Sequence, residues 1–395
     1  MQPKELKYFS FLVPTTCCLY EELILTSFNN HSKYTKIKRV QKMSPAPGNK
    51  NLITDVPGIQ VGHAEDNTIG TGVTVIIGDL PFSAAVDVRG GGPGTRETDM
   101  LSLENSIGRA DAIVLSGGSA FGLDACSEIQ DLLRRDNKGY KVGKAIIPLV
   151  PGAVIFDLNL NGKPHVNTIG EPSPWRKLAN KAYKSANTNF LLGSFGAGCG
   201  ATTATLKGGQ GSTSWTQTFS NGEKYTVGAL IINNAVGNPL LNEGPHFLSG
   251  HLEIGDEFGG YGVSNTIYDN VLRSKRFPKQ TDKLKNFDNI SSNTVIGLIA
   301  TNAPLTRSNL KRLAIMAHDG IARSLSPAHT PMDGDTIFSI TTTQDIKEQK
   351  LENVDILALG ARVSDCVARA CNRAIYEADA IGNSKLGWKH FFQSK

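Results

Sequence analysis

One threonine, Thr294, occupies a position in the sequence at which a catalytic nucleophile could lie. The stretch 275–289 is hydrophilic and is predicted to be an exposed loop; it is followed by Ser291, Ser292 and Asn293, and Thr294 then opens the apolar strand TVIGLIAT. A hydroxyl residue behind a cleavable loop is typical of an N-terminal nucleophile, which is released by self-cleavage and uses its own α-amino group as base. Because an α-amino group has a pKa of about 7.7–8.0, part of it is unprotonated near neutral pH. The alternative is that Thr294 is an ordinary β-branched strand residue.

Two acidic residues precede another predicted strand. Asp333 and Asp335 flank a glycine in PAHTPMDGDTIF (327–338). Alternate residues of an extended segment point to the same side, so both carboxylates could orient one ammonium group, either the new α-amine or a lysine. The alternative is an Asp-Gly turn with solvated acids.

A lysine and an asparagine complete the candidate set. Lys207 follows a glycine-rich tract, but Gly200 stands seven residues before it and a glycine follows it, which does not fit a phosphate-binding loop. We therefore expect Lys207 to be a buried lysine paired with carboxylates. A nucleotide-binding protein that uses the glycine-rich tracts is the rival interpretation. Asn234 ends the strand 227–232 and could direct its amide at a developing oxyanion, or could simply belong to a turn.

Two further glycine-rich tracts, 88–99 and 116–122, either let the backbone approach a ligand or form tight loops between strands. Ser119 in the second tract does not lie in a GxSxG motif, so a nucleophile elbow is not supported.

Composition and charge exclude several classes of protein. Of the net charge of +5, residues 1–42 contribute +4, so the rest of the chain is nearly neutral and offers no electrostatic case for binding nucleic acid. Six cysteines without CxxC spacing indicate neither a disulfide scaffold nor a structural zinc site, and we expect no metal or organic cofactor. No apolar run approaches the roughly 18 residues of a membrane span.

The N-terminal 42 residues differ from the rest. Their apolar run 9–13 is short, and acidic residues follow it, unlike a secretory signal. The pattern favours a poorly ordered tail, or an extension before an alternative start at Met43, and we expect a cytoplasmic protein.

From Asn51 onward, strands alternate irregularly with helices, which favours a layered α/β sandwich. The predicted strands are 73–77, 84–88, 111–115, two within 145–158, 225–237, 294–301 and 336–342. The predicted helices are 98–105, 123–135, 175–186, 309–325 and 354–378.

Several tracts together resemble the L-aminopeptidase/D-esterase family, which includes β-peptidyl aminopeptidases and the nylon-oligomer endo-hydrolase. The resemblance covers about residues 51–380. The tracts are TDVPGIQVGHAED (54–66), AVDVRGGGPGTRETD (85–99), LSGGSAFGLDA (115–125), GAGCGATTATLKGG (196–209), YTVGALIINNAVG (225–237), NTVIGLIATNAPLT (293–306) and RLAIMAHDGIARSLSPAHTPMDGD (312–335).

The resemblance implies a four-layer αββα sandwich of the N-terminal nucleophile type, cleaved between Asn293 and Thr294. The predicted organisation is a tail 1–42, an α chain 43–293 and a β chain 294–395. Thr294 would be the nucleophile. The other catalytic residues that the resemblance implies are Lys207, Asn234, Asp333 and Asp335.

The resemblance also implies a homo-oligomer, a tetramer or larger. Two positions depart from the family pattern. Family members use a Tyr near the site, and Phe156 in VIFDL is the candidate for that position, where it would lack the hydroxyl. Asn302 stands where the family more often has Asp.

The predicted function is that of a self-processing amidohydrolase or aminopeptidase acting through an acyl-enzyme on Thr294. Peptides, β-peptides, D-amino-acid amides and nylon-type oligomers are all compatible substrates. The alternative is an unprocessed, inactive relative that only binds ligands.

Overall fold

A computed structural model describes residues 46–159, 172–241, 244–264, 293–344 and 351–393. The predicted tail 1–42 and the predicted loop 275–289 lie outside these ranges. The strands are β1 Ile59–Asp66, β2 Thr71–Val88, β3 Thr95–Arg96, β4 Arg109–Ser116, β5 Tyr140–Val142, β6 Ala145–Ile147, β7 Gly152–Val154, β8 Gly209–Thr218, β9 Lys224–Asn234, β10 Thr294–Thr301 and β11 Thr336–Thr341. The helices are α1 Ser119–Gly122, α2 Asp124–Arg135, α3 Pro174–Lys184, α4 Arg307–Ser324, α5 Asn353–Tyr376 and α6 Trp388–Phe392.

Strand β2 connects two groups of strands. The main sheet has the order β3-β7-β4-β2-β11-β10-β9-β8, and β5 and β6 form a separate two-stranded sheet. The first part of β2 also pairs with β1, whereas its last six residues pair antiparallel with β11. Strands β10 and β11 are parallel, and β9 runs antiparallel to β10.

Alternating side chains along the strands form three separate cores. Ile232, Ile296 and Phe338 belong to a central core that also contains residues of β1 and β4, so it lies between two layers of strands. Their strand neighbours Ile231 and Ile337 instead pack in a core with helices α4 and α5. Helices α2 and α3 cover the opposite face, over β2 and β4. Successive residues of a strand point to opposite faces, and this alternation produces the order α, β, β, α.

Three predicted elements differ from the observed ones. The predicted strands 73–77 and 84–88 are parts of one 18-residue strand, β2, whose pairing with β4 shifts register between Ile77 and Phe82. Pro81 lies within that irregularity, where a strand tolerates proline. The predicted helix 98–105 is a single 3-10 turn, in which Leu101 is the buried residue. One buried residue gives no apolar face for a longer helix to bury.

Strands β1 and β8, and the short strands β3 and β5, were not predicted. Strand β8 reads GQGSTSWTQT, yet most of it is buried. A Cβ on Gly211 would lie 2.0 Å from the carbonyl oxygen of Ala370 in α5, and one on Gly209 would lie 2.4 Å from that of Ala374. Small residues therefore let α5 approach β8 closely, so burial here does not require apolar residues.

No helix among the described residues is long and apolar enough to cross a membrane.

Candidate active site

Thr294 and Asn234 lie opposite each other on neighbouring strands. Thr294 is the first residue of β10 and Asn234 the last of β9, and the two are paired in the antiparallel register. By alternation their side chains lie on the same face as Ile296 and Ile232, towards the space between the two strand layers. Both are almost fully buried, with 3% and 1% exposure. The predicted nucleophile and the predicted oxyanion residue are thus brought together.

One backbone N–H contacts both the Thr294 hydroxyl oxygen and the oxygen of the carbonyl that this hydroxyl would attack. The Gly334 N–H lies 3.1 Å from Thr294 Oγ1 and 3.0 Å from the carbonyl oxygen of Asn293. The Thr294 hydroxyl itself donates to that Asn293 carbonyl oxygen. The hydroxyl, the carbonyl before it and a donor for that carbonyl therefore form one compact group.

Asp333 is held by donors on its own loop and on the end of β9. Its Oδ2 accepts from the backbone N–H and the hydroxyl of Thr330, at 2.9 and 2.5 Å, and its Oδ1 lies 3.4 Å from the Val236 nitrogen. Burial and the charge of Asp335 raise the pKa of Asp333. The backbone of Asp333 also bridges to that of Asn293, which places this loop alongside the candidate cleavage site.

Asp335 contacts the strand that carries the nucleophile. Its Oδ1 accepts from the Val295 N–H at 2.7 Å, one peptide unit from the nitrogen that cleavage would convert into an α-amine. Its Oδ2 accepts from the backbone N–H of His329 at 3.1 Å and lies 2.7 Å from His329 Nδ1. The Asp335 carboxylate therefore contacts the start of β10, whereas Asp333 reaches it through its backbone and its carboxylate binds Thr330 and the Val236 N–H.

The glycine-rich tract 88–99 supports this acidic loop. The Arg89 N–H donates to the Asp335 carbonyl at 2.9 Å, and the Gly92 N–H donates to the Asp333 carbonyl at 2.8 Å. A Cβ on Gly90 would lie 2.3 Å from the Asp335 nitrogen. The glycines of this tract thus do allow a close backbone approach, but the approach is to the loop that carries Asp333 and Asp335.

The amide of Asn234 is oriented from both ends. Its Oδ1 accepts from the Thr202 N–H at 2.9 Å, and its Nδ2 donates to the Phe156 carbonyl at 3.2 Å. An amide NH₂ carries two hydrogens, and the Phe156 carbonyl is the acceptor that Nδ2 meets within the described part of the chain. Phe156 does reach the site, through its backbone carbonyl.

Lys207 has hydrogen-bond partners other than those predicted. We expected carboxylates, but the fully buried ammonium donates to three carbonyl oxygens, those of Gly198, Ala201 and Gly208, at 3.1, 2.8 and 2.8 Å. A carboxylate does act on it, since the charge of Asp157 opposes the effect of burial on the Lys207 pKa. Burial lowers the pKa of Lys207 to about 8, so the ammonium form predominates at neutral pH. Lys207 therefore braces the loop that carries the Thr202 N–H, and through it the Asn234 amide.

Comparison with known proteins identifies the family. The model of peptidase family S58 matches residues 51–386, most of the chain. The chain belongs to peptidase family S58.

Three similar proteins illustrate this assignment of the S58 peptidase. An uncharacterized aminopeptidase of Mycobacterium bovis is 36% identical over 347 residues, which cover 84% of this chain and 95% of the relative. A 6-aminohexanoate-oligomer endohydrolase of a Kocuria species is 29% identical over 311 residues, or 75% of this chain and 76% of the relative.

The third is a solved structure, the L-aminopeptidase D-Ala-esterase/amidase of Ochrobactrum anthropi, described as a variant of the Ntn hydrolase fold. It superposes with a TM-score of 0.62 at 20% identity and covers 86% of this chain and 89% of its own. The predicted family, the predicted fold and the predicted hydrolase class of this S58 peptidase are thereby confirmed.

Sequence reasoning missed two features of the site in this S58 peptidase. His329 contacts Asp335, and only its position six residues before that acid in the same tract could have signalled it. Asp157 follows Phe156 directly; it accepts from the Gly118 N–H at 2.7 Å and from the Thr71 hydroxyl at 2.8 Å, and burial raises its pKa to about 6. An isolated Asp after an apolar run carries no such signal.

We expect Lys207→Met to destabilise the S58 peptidase by about 2–3 kcal/mol, because three buried carbonyls lose their donor. Urea denaturation at pH 7 measures this. Lys181→Met, at an exposed position on α3, is the matched control and should leave the midpoint within experimental error. Equal midpoints for the two variants would contradict the bracing role.

Proposed function

We propose that the chain is a self-processing hydrolase that cleaves itself between Asn293 and Thr294 and then uses Thr294 to hydrolyse amide bonds. The observation that carries the proposal is the shared Gly334 N–H, which contacts both the Thr294 hydroxyl and the carbonyl it would attack. A threonine that merely begins a strand does not require a donor shared between its hydroxyl and the preceding carbonyl.

In the processing step, Thr294 Oγ adds to the Asn293 carbonyl carbon, and the Gly334 N–H stabilises the resulting oxyanion. The proton that leaves Thr294 Oγ is passed to the Thr294 nitrogen as the C–N bond breaks, which leaves an ester between the Asn293 carbonyl and Thr294 Oγ. Water hydrolyses the ester and releases the Asn293 carboxylate and the free α-amine of Thr294. This sequence requires only the groups at the junction and water.

In the catalytic step, the α-amine accepts the proton of Thr294 Oγ as the oxygen attacks a substrate carbonyl. The amine then returns the proton to the leaving nitrogen. The second hydrogen of Asn234 Nδ2 stabilises the tetrahedral oxyanion, and water finally releases the acyl group from Thr294. Asp335 is placed to orient the α-amine, since it already binds the next backbone N–H.

The proposed substrates are short peptides or linear amide oligomers. Names of the similar proteins support this class: one is called an aminopeptidase, and another acts on 6-aminohexanoate oligomers. A panel of p-nitroanilides and amide oligomers, assayed with processed protein, would identify the preferred member. A homo-oligomeric state and a cytoplasmic location stay predictions from the sequence.

A denaturing gel with intact-mass measurement tests the proposal. Active protein should contain a small chain that spans residues 294–395, 102 of the 395 residues, with Thr294 at its N-terminus. A single uncut chain that still hydrolyses amides would overturn the mechanism. A single uncut chain without activity would favour a relative that only binds ligands.

Gly334→Ala should slow processing by about 10²-fold, because a shift of the nucleophile by roughly 1 Å has an effect of that size. A Cβ at position 334 would lie 2.9 Å from Thr294 Oγ1 and 2.8 Å from the Gly92 carbonyl oxygen, so the hydroxyl must move. The fraction of cleaved chain over time measures the rate. Gly244→Ala is the control, since its added Cβ meets nothing closer than 3.8 Å; equal rates in both variants would refute the Gly334 contact.

A further inference from the structure

His329 lies in the loop between α4 and β11 and faces the acid that the proposed function assigns to the α-amine. Its Nδ1 is 2.7 Å from Asp335 Oδ2, and its Nε2 is 3.4 Å from the carbonyl oxygen of His318. Its side chain is 20% exposed. The ring therefore joins the active-site acid to the helix behind it.

Both ring nitrogens of His329 face oxygens. One is a carboxylate oxygen and the other a backbone carbonyl oxygen, which only accepts hydrogen bonds. A neutral imidazole donates from one nitrogen, whereas the imidazolium donates from both. The geometry thus favours the cation. Burial opposes the charge, but the hydrogen bond and the charge of Asp335 outweigh it and raise the pKa of His329.

The charged and titratable groups around His329 do not replace it as the cation beside Asp335. The His318 ring meets it edge to face, with 4.8 Å between ring centroids, and burial lowers the pKa of His318 to about 4, so that ring is neutral. Its Nε2 donates to the Asp87 carbonyl at 3.0 Å. Arg89 and Lys311 are each 2.7 Å from the Asp87 carboxylate and are occupied there. The opposing charge beside Asp335 is that of Asp333.

We propose that His329 is a positioning residue whose positive charge offsets Asp335 and so keeps the α-amine of Thr294 uncharged and able to act as a base near neutral pH. The inference rests on the proposed function, because it concerns the amine that self-cleavage would create. It adds a residue and a control of ionisation to that mechanism.

The physical reason is the charge balance around the amine. Two carboxylates beside an amine favour its ammonium form, and an ammonium cannot accept the proton of Thr294 Oγ. With His329 charged, the pair formed with Asp335 is neutral overall, while the carboxylate keeps its orientation. Removal of the charge leaves the Asp335 carboxylate without a cation beside it, so the amine then holds its proton to a higher pH.

His329→Asn tests the inference. His329 has φ of 54°, and asparagine tolerates this left-handed conformation better than most residues. Its amide can still donate one hydrogen bond but carries no charge. We expect the acid limb of the kcat/KM profile of processed enzyme to move up by about one pH unit, with activity on the alkaline plateau largely retained. His251→Asn, at an exposed position, should leave the profile unchanged.

Two outcomes overturn the inference: an acid limb at the same pH in fully processed His329→Asn protein, or a uniform loss of activity at every pH, as a merely structural role would give.

A second measurement uses the wild-type protein alone and does not depend on how the variant folds. Cyanate carbamylates neutral amines, and the mass of the small chain records modification at Thr294. We expect the pH at which carbamylation reaches half its maximal rate to lie below the ordinary α-amino pKa range of about 7.7–8.0. A pH at or above that range contradicts the proposal. Active wild-type protein without a Thr294 N-terminus would instead refute the proposed function.

Discussion

Thr294→Ala should abolish both chain cleavage and substrate turnover. The variant retains the strand and its pairing with Asn234 but loses the oxygen that contacts the Asn293 carbonyl and the Gly334 N–H. Without a nucleophile, neither the ester intermediate nor the acyl-enzyme can form. The expected result is one uncut chain on a denaturing gel and no hydrolysis above background.

Two variants serve as controls for that experiment. Thr294→Ser keeps a hydroxyl and should still process and turn over. Thr301→Ala alters the other end of β10, where the hydroxyl donates to the Thr226 carbonyl at 2.8 Å, and should process despite a lower stability. Cleavage that persists in Thr294→Ala would place the nucleophile at another residue.

Asn234→Ala should lower kcat of the processed enzyme by about 10²–10³-fold, the effect of losing one side-chain donor to an oxyanion. KM should change much less, because the contact strengthens in the transition state. The structural basis is the orientation of the amide between the Thr202 N–H and the Phe156 carbonyl; among the described residues its second N–H has no acceptor and is the donor we assign to the substrate. Steady-state kinetics on protein of known cleaved fraction measures the effect.

Asn233→Ala is the matched control. Asn233 precedes Asn234 on β9, is fully buried and donates to the Cys371 carbonyl in α5 at 3.1 Å, on the opposite face of the strand. Its replacement should reduce the stability of the fold without a comparable loss of kcat. An Asn234→Ala enzyme with wild-type kcat would exclude this amide from the oxyanion site.

Strongly periodic segments were predictable because their burial is encoded in the sequence. Helices α2, α4 and α5 and strands β4, β9, β10 and β11 each carry a clear apolar pattern, and all were predicted within a few residues. Strand β8 was not predicted, since glycine and hydroxyl residues rather than apolar ones form the face that α5 covers at close range. Strand β2 was predicted as two strands, because its central proline suggests a strand end where the strand in fact continues.

The site shows the same division. Local sequence made Thr294 and the acids at 333 and 335 candidates, because a strand start and alternate spacing have direct geometric consequences, and the family resemblance then selected them over the alternatives. Lys207 was recognisable as buried, but its partners were not, since three carbonyls of a folded loop carry no sequence signature. The contact of His329 with Asp335 depends likewise on the path of one loop.

The sequence by itself determined the family resemblance, the layered α/β class and the residue types available for acyl transfer. Only the tertiary structure decided which groups meet. It paired Thr294 with Asn234 across two strands and placed the Gly334 N–H against the candidate scissile carbonyl. The reason is physical: residue type and periodicity encode what a segment must bury, whereas a hydrogen bond between groups distant in the chain depends on how whole layers pack.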